Sequence, residues 1–441
     1  MVNRVGTLLL LIIQFYVGFA TSLAGQTELP VFPGAAGFGT LTPAGRGGEI
    51  IRVSNLNDSG AGSLRDALGK HGKRIIVFTV GGTIRLSADL QVIHPFVTIA
   101  GQTAPAPGIT LRGAGLSIKT HDVLVQHLRI RVGDEPGGLS PSSRDALNVL
   151  GPSAFNVVVD HVSVSWAIDE NMSTWFDVHD ITISNSIICE GLHQSLHNKG
   201  PHSKGLLVGD KARRVTVYRN LFAKNADRNP LVKGGASVAV VNNLMYDSGS
   251  KKFIDLADDY DSGPSVVAAI GNVLIKGGDT PADATAVRVH KSVKSGSCVY
   301  LLDNDFSGDL LSYGTTFNPR TFDPPAQLTS ATPVVPSRQV EDLVLSYAGA
   351  RPAERDPVDS RIIAEVRSRT GRIINSQREV GGWPDHPQAT RELVLPPNPG
   401  GDVDRDGYTN IEEELHRLSA EVEGRGVRVP VGQAGESWVP K

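Results

Sequence analysis

Short β-rich triplets recur along the middle of the chain, with apolar residues at alternate positions. They are Val123-Leu124-Val125, Val157-Val158-Val159, Ile181-Thr182-Ile183 and Val215-Thr216-Val217, then Val238-Ala239-Val240, Val267-Ala268-Ala269 and Val299-Tyr300-Leu301. Their spacing of 23–34 residues lies in the range that marks solenoid repeats. Alternation puts every second side chain on one face of a strand. Stacking those faces coil upon coil buries them. No long helical periodicity separates the triplets, which excludes βαβ units. Asn220, Asn243, Asn272 and Asn304 each stand five residues after the start of their triplet. Asparagine tolerates left-handed turn geometry and hydrogen-bonds along stacked, identical turns. The two registers together predict an all-β, right-handed, single-stranded parallel β-helix over residues 120–310. An antiparallel sandwich is disfavoured, because hairpin signals such as Asn-Gly between adjacent strands are missing.

The flanks extend this picture. Residues 31–118 carry Gly-rich turns and short apolar strands such as 75–80. They are expected to cover the open end of the solenoid, with Leu64-Arg65-Asp66-Ala67-Leu68 as a short capping helix. After residue 310 the triplets give way to Pro-rich sequence, with a helix expected near 360–369 in a tail wrapped along the solenoid. At the other end, Arg4, the apolar run 8–17 and the small-x-small Ser22-Leu23-Ala24 read as a secretory signal over residues 1–24. That run is shorter than the roughly 20 residues of a membrane span. A secreted, extracellular protein with no membrane partner is therefore expected. The division is a signal over 1–24, a β-helix domain with its tail over 25–395 and a C-terminal extension over 396–441.

Composition changes little. A single compact core rarely serves 441 residues, but a solenoid grows along one axis. The 48 glycines suit many tight turns. A net charge of −3 gives no reason to expect a nucleic-acid partner. An acidic polymer would need local Lys and Arg, or a bound cation. Cys189 and Cys298 could pair in an oxidising compartment, but two separate buried thiols are the favoured reading.

Three polar patches come from successive coils. They are Arg144-Asp145, then Asp160-His161 with Trp166 and Asp169-Glu170, then Lys204-Gly205 with 227–235. Like positions of neighbouring coils stack about 4.8 Å apart, so carboxylates of one coil converge with cations of the next. Carboxylate oxygens suit a hard cation such as Ca²⁺. Asp160-His161 reads as a structural pair filling a polar turn, and Trp166 as packing rather than a sugar platform.

These residues carry a family resemblance. Asp145-Ala146-Leu147, Val159-Asp160-His161 and the Arg228-x-Pro230-x-x-Lys233-Gly234-Gly235 run resemble the pectate lyases of the pectin/pectate lyase superfamily. The opening 32–39, the run 53–60, Ile99-Ala100-Gly101-Gln102-Thr103-Ala104-Pro105 and Gly381-Gly382-Trp383-Pro384 are similar to its secreted microbial branch. The resemblance implies calcium-assisted β-elimination of 1,4-linked galacturonan, an acidic plant polysaccharide, with 4,5-unsaturated ends on the products. It implies Arg228 as the base, Lys204 and Lys233 as binders of substrate carboxylate, and Asp145 and Asp169 as Ca²⁺ ligands. The family carries a second arginine where this chain has Lys233, and lysine lacks bidentate carboxylate recognition. A gapless match puts Ser173 at the third calcium carboxylate, with Glu170 as its substitute. A monomer is expected.

A second calcium signal lies in the extension. Asp402, Asp404 and Asp406, then Gly407, the Tyr408 carbonyl and Glu413, fit EF-hand loop positions 1, 3, 5, 6, 7 and 12. No helical run precedes the loop, so it is half an EF-hand, with an exiting helix over 412–422 and a structural role. Asn57 and Asn171 head glycosylation sequons for a eukaryotic host, although a glycan on Asn171 would collide with the calcium ligands. Two alternatives to a lyase stand. One is a β-helix glycoside hydrolase of the polygalacturonase type, which needs paired carboxylates. The other is a non-catalytic pectin-binding solenoid.

Overall fold

The computed structural model describes residues 29–314, 320–321 and 332–425. The signal segment 1–24 lies outside them. Three long sheets of 11, nine and ten strands run side by side, and consecutive turns of the chain contribute one strand to each. Among the described residues, all pairings are parallel except that of the short strand Ala389–Thr390. This is a right-handed parallel β-helix.

The triplets lie in register in the first sheet: Val123 pairs with Val157, Val157 with Ile181, Ile181 with Val215, Val215 with Val238, Val238 with Val267, and Val267 with Val299. Their first residues, and nearly all of their third, fill one continuous core. The asparagines form a buried ladder at the turn that follows. The Asn220 amide donates to Asn243 Oδ1 at 3.0 Å, Asn243 to Asn272 at 3.0 Å and Asn272 to Asn304 at 2.9 Å. Each rung also takes a main-chain N–H, so the turn carries few orphaned polar groups.

Two expectations need correction. The coils begin well before residue 120: Glu49–Val53, Arg74–Phe78 and Val97–Ala100 already stack in the first sheet. Long glycine-bearing turns hide their periodicity. Residues 31–44 also do not cap the end. They lie along the outer face of the first sheet, covering Leu124 and Val158 with Val31, Phe32 and Ala35. That cover explains why the outward middle residues of several triplets are apolar. Thr182 Oγ1 donates to the Phe38 carbonyl at 2.6 Å, and Phe38 N–H to Thr216 Oγ1 at 3.1 Å. Gly37 permits the approach, since a Cβ there would meet Thr182 Oγ1 at 2.4 Å. The helix Leu64–Leu68, capped by Ser63, does bury Leu64, Ala67 and Leu68 in the core.

The tail returns along the third sheet. Helices Val340–Tyr347 and Pro357–Ser368 cover Ile187, Leu221, Leu244 and Val273. Ion pairs fasten it: Arg131 to Asp356 and Asp359, Glu190 to Arg361, and Lys224 to Glu365. Trp166 is fully buried and packs edge-on against Trp383. Ala389–Thr390 then pairs with Val80–Arg85 in an early coil. Finally the helix Asn410–Glu423 docks Ile411 and Leu415 on Ile75, Val77 and Ala100. Cys189 and Cys298 are both free thiols.

Candidate active site

The second sheet carries the polar patches on its outer side. Its strands run in the order Leu147–Leu150, Glu170–Trp175, Lys204–Val208, Leu231–Val232, Lys252–Leu256 and Thr285–Val289. Glu170 pairs in register with Lys204, and Lys204 bridges to Asp227 on the next coil. Residues 83 positions apart, Asp145 to Arg228 by number, thereby reach one surface.

Asp145, Asp169 and Glu170 present carboxylate oxygens within 4.8 Å of one another. The backbone fixes the first of them: Glu170 N–H donates to Asp145 Oδ1 at 2.8 Å, and Asn148 Nδ2 to its Oδ2 at 2.8 Å. Burial and the Asp169 carboxylate push the Asp145 pKa up to about 7. Burial alone would raise Asp169 as well, but His202 at 3.1 Å holds it below the usual carboxylate range. Crowded oxygens with strained charge suit a hard cation, which takes several oxygen ligands and relieves the repulsion. Ser173 reaches this cluster only through Asn148, donating its Oγ to Asn148 Oδ1 at 2.8 Å while Asn148 Nδ2 donates to Asp145.

Arg228 reaches into the cluster and ion-pairs with Glu170. Its guanidinium is largely buried, and its Nε finds no hydrogen-bond partner among the described residues. Burial pushes its pKa down, against the upward pull of Asp169 and Asp145. The backbone of Arg228 is held at φ +62° and accepts from Leu206 N–H at 2.6 Å. Gly205 makes room, since a Cβ there would meet the Arg228 carbonyl at 2.5 Å. Asn225 anchors the loop behind it. Its Oδ1 accepts from Asn171 and from Gly191 N–H at 3.1 Å, and its Nδ2 donates to Ile188 O and Asn229 Oδ1 at 3.0 Å.

Lys204 lies 3.2 Å from Asp227, which also takes Lys252 at 2.9 Å. Lys233 pairs with Asp259. An open groove of about 190 Å³ runs on from Arg228 past Lys233 to Asp255 and Arg288. Sequence reading did not single out His197, His202, Lys252, Asp255, Asp259 or Arg288. They come from loops or later coils where no motif marks them. The regular coil spacing after Lys233 was the one available signal.

Asn171 is wholly buried, and its amide donates to Cys189 O at 3.0 Å and to Asn225. The expected glycosylation at Asn171 is therefore corrected: no glycan fits there in the folded chain. Asn57 is exposed. Asp160, at the end of the first-sheet strand Phe155–Asp160, and His161 after it are buried and bonded at 2.8 Å to each other.

In the extension, Asp402, Asp404 and Asp406 gather their oxygens within 4.8 Å. Asp402 accepts from Arg405 N–H at 2.7 Å and from Gly407 N–H at 3.0 Å. Gly407 has φ +100°, which demands glycine. Burial, with Asp404, Asp406 and Asp402 behind it, raises the Glu413 pKa.

No protein-family model matches this chain. Among curated proteins, it is 37% identical over 419 residues to the probable pectate lyase C of Aspergillus flavus, spanning 88% of this chain and 93% of that one. The chain belongs to the pectate lyase family. The Aspergillus oryzae probable pectate lyase C matches with the same identity and coverage. Pectate lyase 1 of Cryptomeria japonica is 26% identical over 249 residues, 49% of this chain and 61% of that one. Among solved structures, jun a 1, the major allergen from cedar pollen, superposes with a TM-score of 0.55 at 20% identity, over 70% of this chain and 91% of its own. That likeness supports the β-helix. As a pectate lyase this chain is a polysaccharide lyase, and a part in pectin and plant cell-wall degradation fits it. The hydrolase and binding-only alternatives give way to that reading. No helix among the described residues is long and apolar enough to cross a membrane.

Proposed function

We propose that this pectate lyase is secreted, and that it cleaves polygalacturonate by β-elimination with Arg228 as the base and Ca²⁺ held by Asp145, Asp169 and Glu170. The observation that carries the reading is the convergence of a desolvated arginine with three carboxylates, while Lys204 stands on the adjoining strand. Bound there, Ca²⁺ supplies positive charge that offsets the substrate carboxylate and makes the C5 proton more acidic. Arg228 then takes the C5 proton. The C5–H electron pair becomes the C4–C5 double bond, the C4–O bond breaks, and the leaving oxygen gains a proton. An arginine normally stays protonated, so a base role needs a lowered pKa. Burial shifts Arg228 in that direction. Lys204 and Lys233 hold substrate carboxylates as point charges.

In the extension, Asp402, Asp404, Asp406, the Tyr408 carbonyl and Glu413 hold a second Ca²⁺ with a structural role. The loop feeds directly into the docked helix Asn410–Glu423, whose first turn is capped by Thr409 and Glu412. The test is the rise in ultraviolet absorbance on polygalacturonate. Arg228→Ala should abolish the rise with the fold intact, and chelation should suppress it in the wild type. Full activity in Arg228→Ala would remove Arg228 from the mechanism.

A further inference from the structure

A second cluster of titratable groups lies where the C-terminal extension meets the coils. His127 follows the strand Val123–Gln126, His161 follows Phe155–Asp160, and Glu423 ends the helix Asn410–Glu423. His127 N–H donates to the His161 carbonyl at 3.1 Å, and the two rings stack with centroids 5.2 Å apart. Glu423 Oε1 lies 3.5 Å from His127 Nε2 and 3.6 Å from His161 Nδ1. One donor atom from each of the three comes within 4.8 Å of the others. All three side chains are buried, His127 completely.

The other partners of the two rings set where their protons sit. His127 Nδ1 faces the Ala350 carbonyl at 2.8 Å, so it carries the proton. Burial pushes the His127 pKa down to about 3, which keeps the ring neutral. Nε2 is then a bare lone pair without a hydrogen-bond partner among the described residues, and it is aimed at a carboxylate oxygen. Two acceptors facing each other away from water repel unless a cation stands between them. His161 repeats the arrangement. Its Nδ1–H is held by Asp160 Oδ2 at 2.8 Å, and its Nε2 also lacks a partner among the described residues. A ring N–H anchored on a carbonyl or a carboxylate, with the other nitrogen open, is how metal-ligating histidines are held. Glu423 Oε2 is taken by Arg425 at 3.0 Å, which leaves Oε1 for one ligand bond.

We propose that His127, His161 and Glu423 bind Zn²⁺, which clamps the end of the helix Asn410–Glu423 to two coils. Two imidazoles with one carboxylate suit Zn²⁺, whereas the oxygen-only cluster of Asp402, Asp404 and Asp406 suits Ca²⁺. A proton on Glu423 is the rival filler of the gap. It would serve His127 and leave His161 Nε2 open. The role of the ion is structural, because it ties together three chain segments that meet nowhere near a substrate-sized opening among the described residues.

The experiment uses the full chain in excess calcium, so that the oxygen-rich sites are filled. Elemental analysis should find one zinc per chain, and added Zn²⁺ should raise the thermal midpoint of chelator-treated, calcium-restored protein. Glu423→Gln should lose both the zinc and the rise. Its amide can donate to His127 Nε2, which spares the fold. His202→Ala should keep both, which separates this site from the cluster of Asp169, His197 and His202. Cobalt in place of zinc should give visible bands in the wild type, a readout that needs no variant to fold. Zinc held equally by Glu423→Gln, or lost in His202→Ala, overturns the proposal. So does a wild type that takes up no zinc, which would leave a proton on Glu423 as the filler.

Discussion

Replacing Asn225 with alanine should damage both stability and catalysis, although the side chain touches no substrate. Asn225 is 1% exposed and makes four hydrogen bonds that tie Asn171, Gly191, Ile188 and Asn229 together. Alanine leaves at least the Gly191 N–H and Asn229 Oδ1 without their partner. Each buried orphan costs about 1–3 kcal/mol, so the change should cost about 2–6 kcal/mol. Arg228 follows three residues later on the same loop. A shift of about 1 Å in a reacting group can cost about 100-fold in rate. Asn225→Asp sharpens the test. It keeps acceptors for Asn171 and Gly191 but turns the donor toward Ile188 O and Asn229 into a charged oxygen, and it should be no milder than alanine. Thermal unfolding and initial rates on polygalacturonate give the two readouts. An alanine variant within about 1 kcal/mol of the wild type and with full kcat would refute the reasoning.

Further outcomes are expected elsewhere. Arg228→Lys keeps a cation but shortens its reach and loses the planar fork, so kcat should fall steeply while circular dichroism stays unchanged. Burial would raise Glu190, but Arg361 and Lys224 outweigh it and hold its pKa at about 2, below its ordinary 4.5. The associated stability, about 3 kcal/mol, is fully present above pH 4.5 and is lost as the pH falls through 2. The stability gap between wild type and Glu190→Gln should therefore close over that window, and a gap that widens on acidification would contradict it. Added Ca²⁺ should raise the thermal midpoint through the 402–413 loop. At ten times the Kd the gain is about 1.4 kcal/mol, and Glu413→Gln should remove it. Trp383 is only partly buried, so Trp383→Ala, which empties the contact with Trp166, should cost about 3 kcal/mol, the low end for a core tryptophan.

The repeating part of the molecule was legible because each coil repeats one physical demand. A core residue recurs at the start of each triplet, and an asparagine recurs five places on. The first coils escaped notice because long turns break their spacing, and residues 31–44 were misplaced because a cover strand carries no periodic signal. At the site, Asp145, Lys204 and Arg228 stood in motifs. Glu170 joins Asp145 and Asp169 because it opens the strand Glu170–Trp175, in register beside Lys204. His202, Asp255 and Asp259 were invisible for a different reason. Their partners are supplied by neighbouring coils, so nothing in their own sequence surroundings marks them.

The returning tail has a consequence for how the stack opens and closes. A line of coils ordinarily frays from its ends, because the terminal member has one neighbour. Here Ala389–Thr390 joins an early coil to a segment that has already crossed the later ones. The line thus becomes a circuit, and an end coil cannot peel away without also breaking bonds to the tail. Synthesis proceeds from the N-terminus, so the coils must first assemble as an open spring. The spring is locked only when residues 332–425 arrive, which makes late proteolytic loss of that stretch more damaging than its distance from Arg228 suggests.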